Sequence, residues 1–265
     1  MKVDYHVHTS MCGHATGTME ESVLAAIELG LDEVGFADHL PFLYTDDPTL
    51  SMKPEELSIY VEQVLTLKEI YEDRMTVRLG IEADYYYETV DRVAKMLEAH
   101  SFDYVLGSVH ILSGWLFDDP REVHRYDTLD IDELYHHYYD VERELARSGL
   151  FDVLSHPDLV KKFGHRPAAD MGSEVESLLR ELSDTGMCFE VNTAGLRWPA
   201  GEIYPAKPFI DAAHRLGVPV TMGSDAHSPG DVGRDFDISL AALKSAGYDE
   251  LATFEDRVMG RAPLP

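Results

Sequence analysis

The chain has 265 residues, 45% of them hydrophobic, and a formal net charge of −27. That charge argues against a nucleic-acid or anionic-membrane surface, because both partners are polyanions. No apolar run approaches the roughly 18 residues that span a bilayer, and Met1-Lys2-Val3-Asp4 lacks the charged-then-apolar order of a secretory leader. Two cysteines, Cys12 and Cys188, are too few for a disulfide framework and fit a reducing cytosol. A cytoplasmic location is the expectation.

In chain order, a strand over 2–7 carries His6-Val7-His8 at its end. Side chains two apart on a strand share a face, so both imidazoles can reach one metal ion. His14 follows, and then a helix over 18–29 with the capping box Thr18-Met19-Glu20-Glu21 and a stop at Gly30. A strand over 33–37 closes on Asp38-His39, and the loop Pro41 to Pro54 leads into a helix over 55–73. The strand over 76–82 delivers Glu82 and precedes a helix over 88–98; the strand over 103–109 delivers His110 and precedes a long loop, 112–129. A helix over 131–148 ends at Gly149, and a strand over 151–155 delivers His156 ahead of the basic stretch Lys161 to Arg166. A helix over 173–184, a strand over 187–191 and a helix over 206–216 follow. The strand over 218–223 leads to Asp225 and His227, and a helix over 236–246 completes the set.

Seven strands alternating with helices are the pattern of parallel βαβ units. With no repeat, linker or low-complexity segment, residues 1–265 read as one domain. Six of the strand-like runs end in a metal-type ligand, and ligands on so many strands meet only where strand ends surround one point. A closed or nearly closed barrel does this at its C-terminal mouth, whereas an open sheet spreads them along a crevice. Cys12 lies between His8 and His14 but is set aside, because the other donors are all nitrogen and oxygen. His100, His124, His136, His137 and His214 lie away from strand ends and read as non-ligands. Acidic pairs such as Asp118-Asp119 read as helix starts and loops.

The set HVH, CGHA, DH, a strand-end Glu, GSVH, SHPDL and GSDAH resembles the polymerase-and-histidinol-phosphatase (PHP) superfamily. Within it, KKFGHR, EVNTAGLRWPAGEIYP and GSDAHSP resemble histidinol-phosphate phosphatases. The resemblance runs from Val3 to about residue 233, and the last 30 residues add little to it. It implies a distorted (β/α)7 TIM-like barrel with a trinuclear centre of zinc, manganese or iron. By the same resemblance, one ion is held by His6, His8, Glu82 and Asp225, a second by Glu82 with His110 and His156, and a third by His14, His39 and His227. Such a centre makes the pocket positive inside an acidic chain, so an anionic substrate is admitted locally.

The chemistry expected of these ligands is phosphomonoester hydrolysis. A water shared by two ions bridged through Glu82 would be acidified and attack phosphorus in line. Asp225 or His227 could protonate the leaving group. Arg197, in the loop after the sixth strand, is the first candidate for binding phosphate, with Lys161 and Arg166 beside it. Asn192 is expected to order that loop. Phe42, Trp115, Trp198 and Tyr204 could wall the substrate pocket, and Asp84, Asp158 and Glu202 are acids for a substrate ammonium. The small-molecule substrate selected by the resemblance is L-histidinol phosphate. The alternatives are a PHP phosphoesterase acting on nucleotide or cyclic phosphates, and an inactive metal-binding regulator.

Overall fold

Seven short, almost wholly buried runs of the chain form one parallel sheet. They are β1 (Val3–Val7), β2 (Glu33–Phe36), β3 (Thr76–Asp84), β4 (Tyr104–Ser108), β7 (Val153–Leu154), β8 (Cys188–Asn192) and β9 (Val220–Gly223). In the computed structural model, which describes residues 1–265, they lie side by side in that order. Every neighbouring pair is parallel. The ends of the sheet meet at a parallel bridge between Val7 and Ala226, where His8 N donates to Ala226 O at 2.9 Å and Ala226 N to His6 O at 3.1 Å. The barrel therefore closes at the C-terminal ends of its strands, which is where the candidate ligands stand.

The helices α1 (Met19–Glu28), α2 (Leu57–Ile70), α3 (Val90–Glu98), α4 (Ile131–Arg147), α5 (Gly172–Thr185), α6 (Lys207–Arg215) and α7 (Phe236–Ala246) separate the strands. Local rules account for their ends. Thr18 and Glu21 form the reciprocal cap expected for α1, and α5 and α7 end on left-handed Gly186 and Gly247. Tyr5, Tyr104 and Phe254 fill the barrel, with ring centroids 5.0–6.1 Å apart and the Tyr104 hydroxyl donating to Tyr5 O at 2.7 Å.

Two segments carry more structure than their sequence announced. The long loop after β4 contains a small hairpin, β5 (Ile111–Leu112) and β6 (Trp115–Leu116), then a 3-10 stretch over Pro120–Thr128. Ser113 and Gly114 turn it with positive φ at both positions, the geometry of a two-residue hairpin. At the C-terminus, β10 (Glu250–Glu255) and β11 (Val258–Pro263) pair antiparallel. Their turn, Asp256-Arg257, is likewise left-handed at both residues. This hairpin sends Phe254 into the barrel from its N-terminal end and so closes the floor.

Candidate functional site

The barrel mouth gathers the nine predicted donors. His6 comes from β1 and His8 from just beyond it, His39 from the turn after β2, Glu82 from β3, His110 and His156 from just beyond β4 and β7, and Asp225 and His227 from the turn after β9. His14 follows the short 3-10 turn Ser10–Cys12. His156 and Asp225 hold φ of 25° and 54°, a left-handed backbone that non-glycine residues adopt at some cost.

Glu82 is the hub and is wholly buried. Its Oε2 lies 2.8 Å from His39 Nδ1, 3.4 Å from His6 Nε2 and 3.5 Å from His8 Nε2. Its Oε1 lies 2.9 Å from His156 Nε2 and 3.7 Å from His110 Nε2, and accepts from Ser108 Oγ at 2.6 Å. Asp225 Oδ1 stands 3.2 Å from His8 Nε2 and 3.9 Å from His6 Nε2. His14, His39 and His227 form a group in which one ligand atom from each lies within 4.8 Å of the others.

The outer nitrogens of the rings decide what this cluster can hold. His6 Nδ1 is 2.8 Å from Glu190 Oε1, His110 Nδ1 is 2.7 Å from Asp84 Oδ1, and His8 Nδ1 is 3.4 Å from Asp38 Oδ1. His14 Nδ1 meets Thr49 O at 2.9 Å and His227 Nδ1 meets Asp225 O at 3.0 Å. An oxygen acceptor at Nδ1 keeps the proton there and turns the Nε2 lone pair inward. His6 Nε2 and His8 Nε2 then turn toward one point, 3.0 Å apart. Glu82 Oε2 is buried without a hydrogen bond. Electron pairs crowded in this way ask for cations, and a set of imidazoles and carboxylates suits zinc, manganese or ferrous iron.

The carboxylates of the cluster draw positive charge into it: burial works against charge on His6 and His8, but Glu190, Glu82 and Asp225 around His6 and Asp225 and Asp38 around His8 raise both well above the ordinary imidazole value. Burial works against charge on His110, but Asp84, Asp118 and Glu82 outweigh it and lift its pKa to about 10. Burial likewise pushes Glu82 up, but His39, His6 and His110 hold it well below its ordinary value. His14 and His227 go the other way, to about 4 and about 3, through burial and the neighbouring histidines, so they remain neutral donors.

A second ring of carboxylates, Glu190, Asp84 and Asp38, sets the first; Asp84 stands there rather than against a substrate ammonium, and Glu190 is not among the residues expected from sequence. Glu190 is the most connected: besides His6 it accepts from Ser155 Oγ at 3.0 Å, His156 N at 2.9 Å and Asn192 Nδ2 at 3.0 Å. A Cβ at Gly223 would stand 1.8 Å from Glu190 Oε1, so only glycine leaves room on β9. The available signal was an acid inside the otherwise apolar run Cys188-Phe189-Glu190-Val191, where burial demands a partner. Cys12 is also buried, its sulfur within 4.8 Å of a ligand nitrogen of both His8 and His227.

Above the cluster opens a cavity of about 640 Å³. Arg197 lines it; its Nη2 donates to Ser224 O at 2.6 Å and Asp225 O at 3.1 Å, while its Nη1 is buried and unpaired. Lys161 and Arg166 are not brought to this cavity. Lys161 is buried and committed to Asp158 at 2.9 Å and Ile203 O at 2.9 Å, and Arg166 is exposed and bound to Glu202 at 2.7 Å and to backbone carbonyls. The lysine on the cavity is Lys162, with Nζ 3.1 Å from Asp118 Oδ2 and 4.4 Å from the Trp198 ring centroid.

Asp84, Asp158 and Glu202 are thus engaged with His110, Lys161 and Arg166. The acids on the cavity are Asp118, Asp119 and Asp231 beside Asp225 and Glu82, so Asp118-Asp119 is more than a loop acid pair. Phe42, Trp198 and Tyr204 do wall the cavity, whereas Trp115 packs away from it. Asn192 orders the loop as expected, its Oδ1 accepting from Ala194 N at 2.8 Å. His136 and His137 pair instead with Glu174 and Ser113.

Comparison with known proteins follows the same lines. The PHP domain model matches residues 4–194 and a PHP-associated model matches 210–235. A Deinococcus radiodurans protein named "Probable histidinol-phosphatase" is 41% identical over 258 residues, 97% of each chain. Histidinol-phosphatase of Bacillus subtilis is 30% identical over 264 residues, covering 90% of this chain and 98% of its own. Among solved structures, the fold is similar to histidinol phosphate phosphatase from Lactococcus lactis complexed with zinc, L-histidinol and phosphate, with TM-score 0.84, 23% identity and 98% of both chains covered. On the domain match and the full-length relatives, the chain belongs to the PHP-domain histidinol-phosphatase family.

Proposed function

We propose that the chain is a metal-dependent phosphomonoesterase that hydrolyses L-histidinol phosphate to L-histidinol and inorganic phosphate. The observation that carries the reading is the gathering of seven imidazoles around Glu82 and Asp225, five of them with Nδ1 against an oxygen acceptor. The names of full-length relatives, at 41% and 30% identity, support the substrate.

Three divalent ions are proposed: one held by His6, His8, Glu82 and Asp225, one by Glu82, His110 and His156, and one by His14, His39 and His227. When bound, such ions act as Lewis acids on phosphoryl oxygens and acidify water near neutral pH. The rest falls to the chain. Arg197 is anchored on the carbonyls beside Asp225 and offers its free Nη1 to a phosphoryl oxygen, a charge-assisted contact of about 1.5–3 kcal/mol. Lys162, Asp118 and Trp198 form a second wall with a cation, an acid and a flat ring, matching the ammonium and imidazole of the substrate. A cavity of about 640 Å³ suits one small ester. No helix is long and apolar enough to cross a membrane, and the net charge of −27 opposes a nucleic-acid substrate.

We take residues 1–265 as one catalytic unit, a reading supported by a single core cluster of 67 residues from Val3 to Phe254. Cytoplasmic location is proposed on the two cysteines, both buried and free. The test is phosphate release by protein of measured metal content. L-Histidinol phosphate should be turned over at least about a hundred-fold more efficiently than nucleoside monophosphates. Equal efficiency on a nucleotide or cyclic phosphate would rule the specific substrate out.

A further inference from the structure

Outside the nine-ligand cluster, two polar groups on the cavity wall are buried and have no partner, Arg197 Nη1 and the hydroxyl of Tyr204. The arginine has its part above; the tyrosine has none. Tyr204 is 1% exposed, and leaving a buried hydroxyl unpaired costs about 1–3 kcal/mol. On a cavity wall such a group can be completed by a ligand.

The surroundings fix the ring closely. Asn192 N donates to Tyr204 O at 2.6 Å and Tyr204 N to Asn192 O at 2.9 Å, which ties the residue to the C-terminal end of β8. Lys161 Nζ backs the ring 5.4 Å from its centroid and is itself pinned by Asp158. The ring also packs on Gly195, where a Cβ would stand 3.0 Å from Tyr204 Cζ and 2.1 Å from Glu202 O. Gly195 sits on the turn Ala194–Arg197 that carries Arg197. One turn therefore positions both unpaired donors.

We propose that the Tyr204 hydroxyl donates its hydrogen bond, and then its proton, to the ester oxygen of the bound phosphomonoester as the P–O bond breaks. The inference rests on the phosphomonoesterase reading above. Phosphoryl oxygens carry full charge and are matched by the Arg197 guanidinium. Tyr204 is a neutral donor with carboxylates for neighbours; burial first, then Asp158, Asp225 and Asp118, push its pKa up, so it keeps its proton. Such a donor suits an oxygen that is neutral at first and turns basic only in the transition state. The P–O bonding pair goes to the leaving oxygen, which takes the phenolic proton and departs as the alcohol. The attacking water gives its oxygen to phosphorus, and one of its protons returns to the phenolate.

Tyr204→Phe keeps the ring on Gly195 and removes only the hydroxyl. With L-histidinol phosphate, kcat should fall about a hundred-fold, because an alkoxide leaves poorly without a proton. With p-nitrophenyl phosphate, whose phenolate needs none, it should stay within about three-fold. Inhibition by L-histidinol should weaken while inhibition by inorganic phosphate and the metal content stay unchanged. Equal losses on the two substrates, or none on either, would overturn the proposal. A leaving-group series on the unmodified protein gives a check independent of how the variant folds. A shallow dependence of kcat/KM on leaving-group pKa supports proton donation, and a steep one contradicts it. Unmodified protein of full metal content that releases no phosphate from L-histidinol phosphate would instead remove the underlying phosphomonoesterase reading.

Discussion

The two ends of the barrel handle charge in opposite ways. At the floor, charges are paired with opposites: Arg78 with Glu33 at 2.9 Å and Glu255 at 3.1 Å, Arg257 with Asp152 at 2.6 Å, Lys68 with Asp103 at 3.1 Å. Phe254 plugs the space between them. At the mouth, His6 Nε2 and His8 Nε2 crowd to 3.0 Å, Glu82 Oε2 and Arg197 Nη1 lack partners, and His156 and Asp225 hold left-handed backbone. The floor is arranged for the folded chain alone. The mouth is completed only by what binds there, and it is the clustering of unsatisfied groups around one cavity that marks the working end.

This contrast breaks if mouth variants unfold the chain or floor variants change its chemistry. The largest effect is expected from Glu82→Gln, which keeps the volume but removes the charge at the hub. Turnover should fall by at least about 10²–10³ with loss of metal by elemental analysis, while the thermal midpoint of the metal-free protein holds. Phe254→Ala should do the reverse. Emptying the floor costs about 3–5 kcal/mol of stability in denaturant unfolding, yet kcat per folded molecule should stay near that of the parent. Arg197→Met should lower kcat/KM about ten- to a hundred-fold with metal retained; unchanged kinetics would move phosphate binding to Lys162.

A smaller effect sharpens the comparison, because it concerns an unpaired acid outside the mouth. Glu142 on α4 is fully buried and neither carboxylate oxygen makes a well-formed hydrogen bond. Burial pushes its pKa well above the ordinary value. A folded-state pKa above the unfolded one means the folded chain binds the extra proton, so stability falls as pH rises from the unfolded value through the raised one. Glu142→Gln should flatten that fall, gaining about 1–2 kcal/mol at the alkaline end with activity unaltered. A thermal midpoint with the same pH slope in both proteins would show that Glu142 has a partner.

What the sequence disclosed follows from which information is local. Strand period, strand-end residue type and helix caps are local, so seven strands and the positions of His6, Glu82 or Asp225 could be read directly. Glu190 and Asp84 act by pairing with His6 and His110, 184 and 26 residues away, so an acid inside an apolar run shows that Glu190 needs a partner but not which one. Lys161 and Lys162 are adjacent and chemically alike; only the 3-10 turn over Leu159–Lys161 decides which faces the cavity. The C-terminal hairpin has no clean alternation to announce it, and its place at the floor depends on Phe254 meeting Tyr5 and Tyr104 in three dimensions.

The central claim is that the mouth is built around metal ions that the chain uses in catalysis. Returning metal stepwise to chelated protein, while following both bound metal and phosphate release from L-histidinol phosphate, tests it most directly. Activity should climb until about three equivalents per chain are bound, since nine ligands shared over three ions leave positions open for water and phosphate. Full activity at one equivalent or fewer, or in the chelated protein itself, would contradict it.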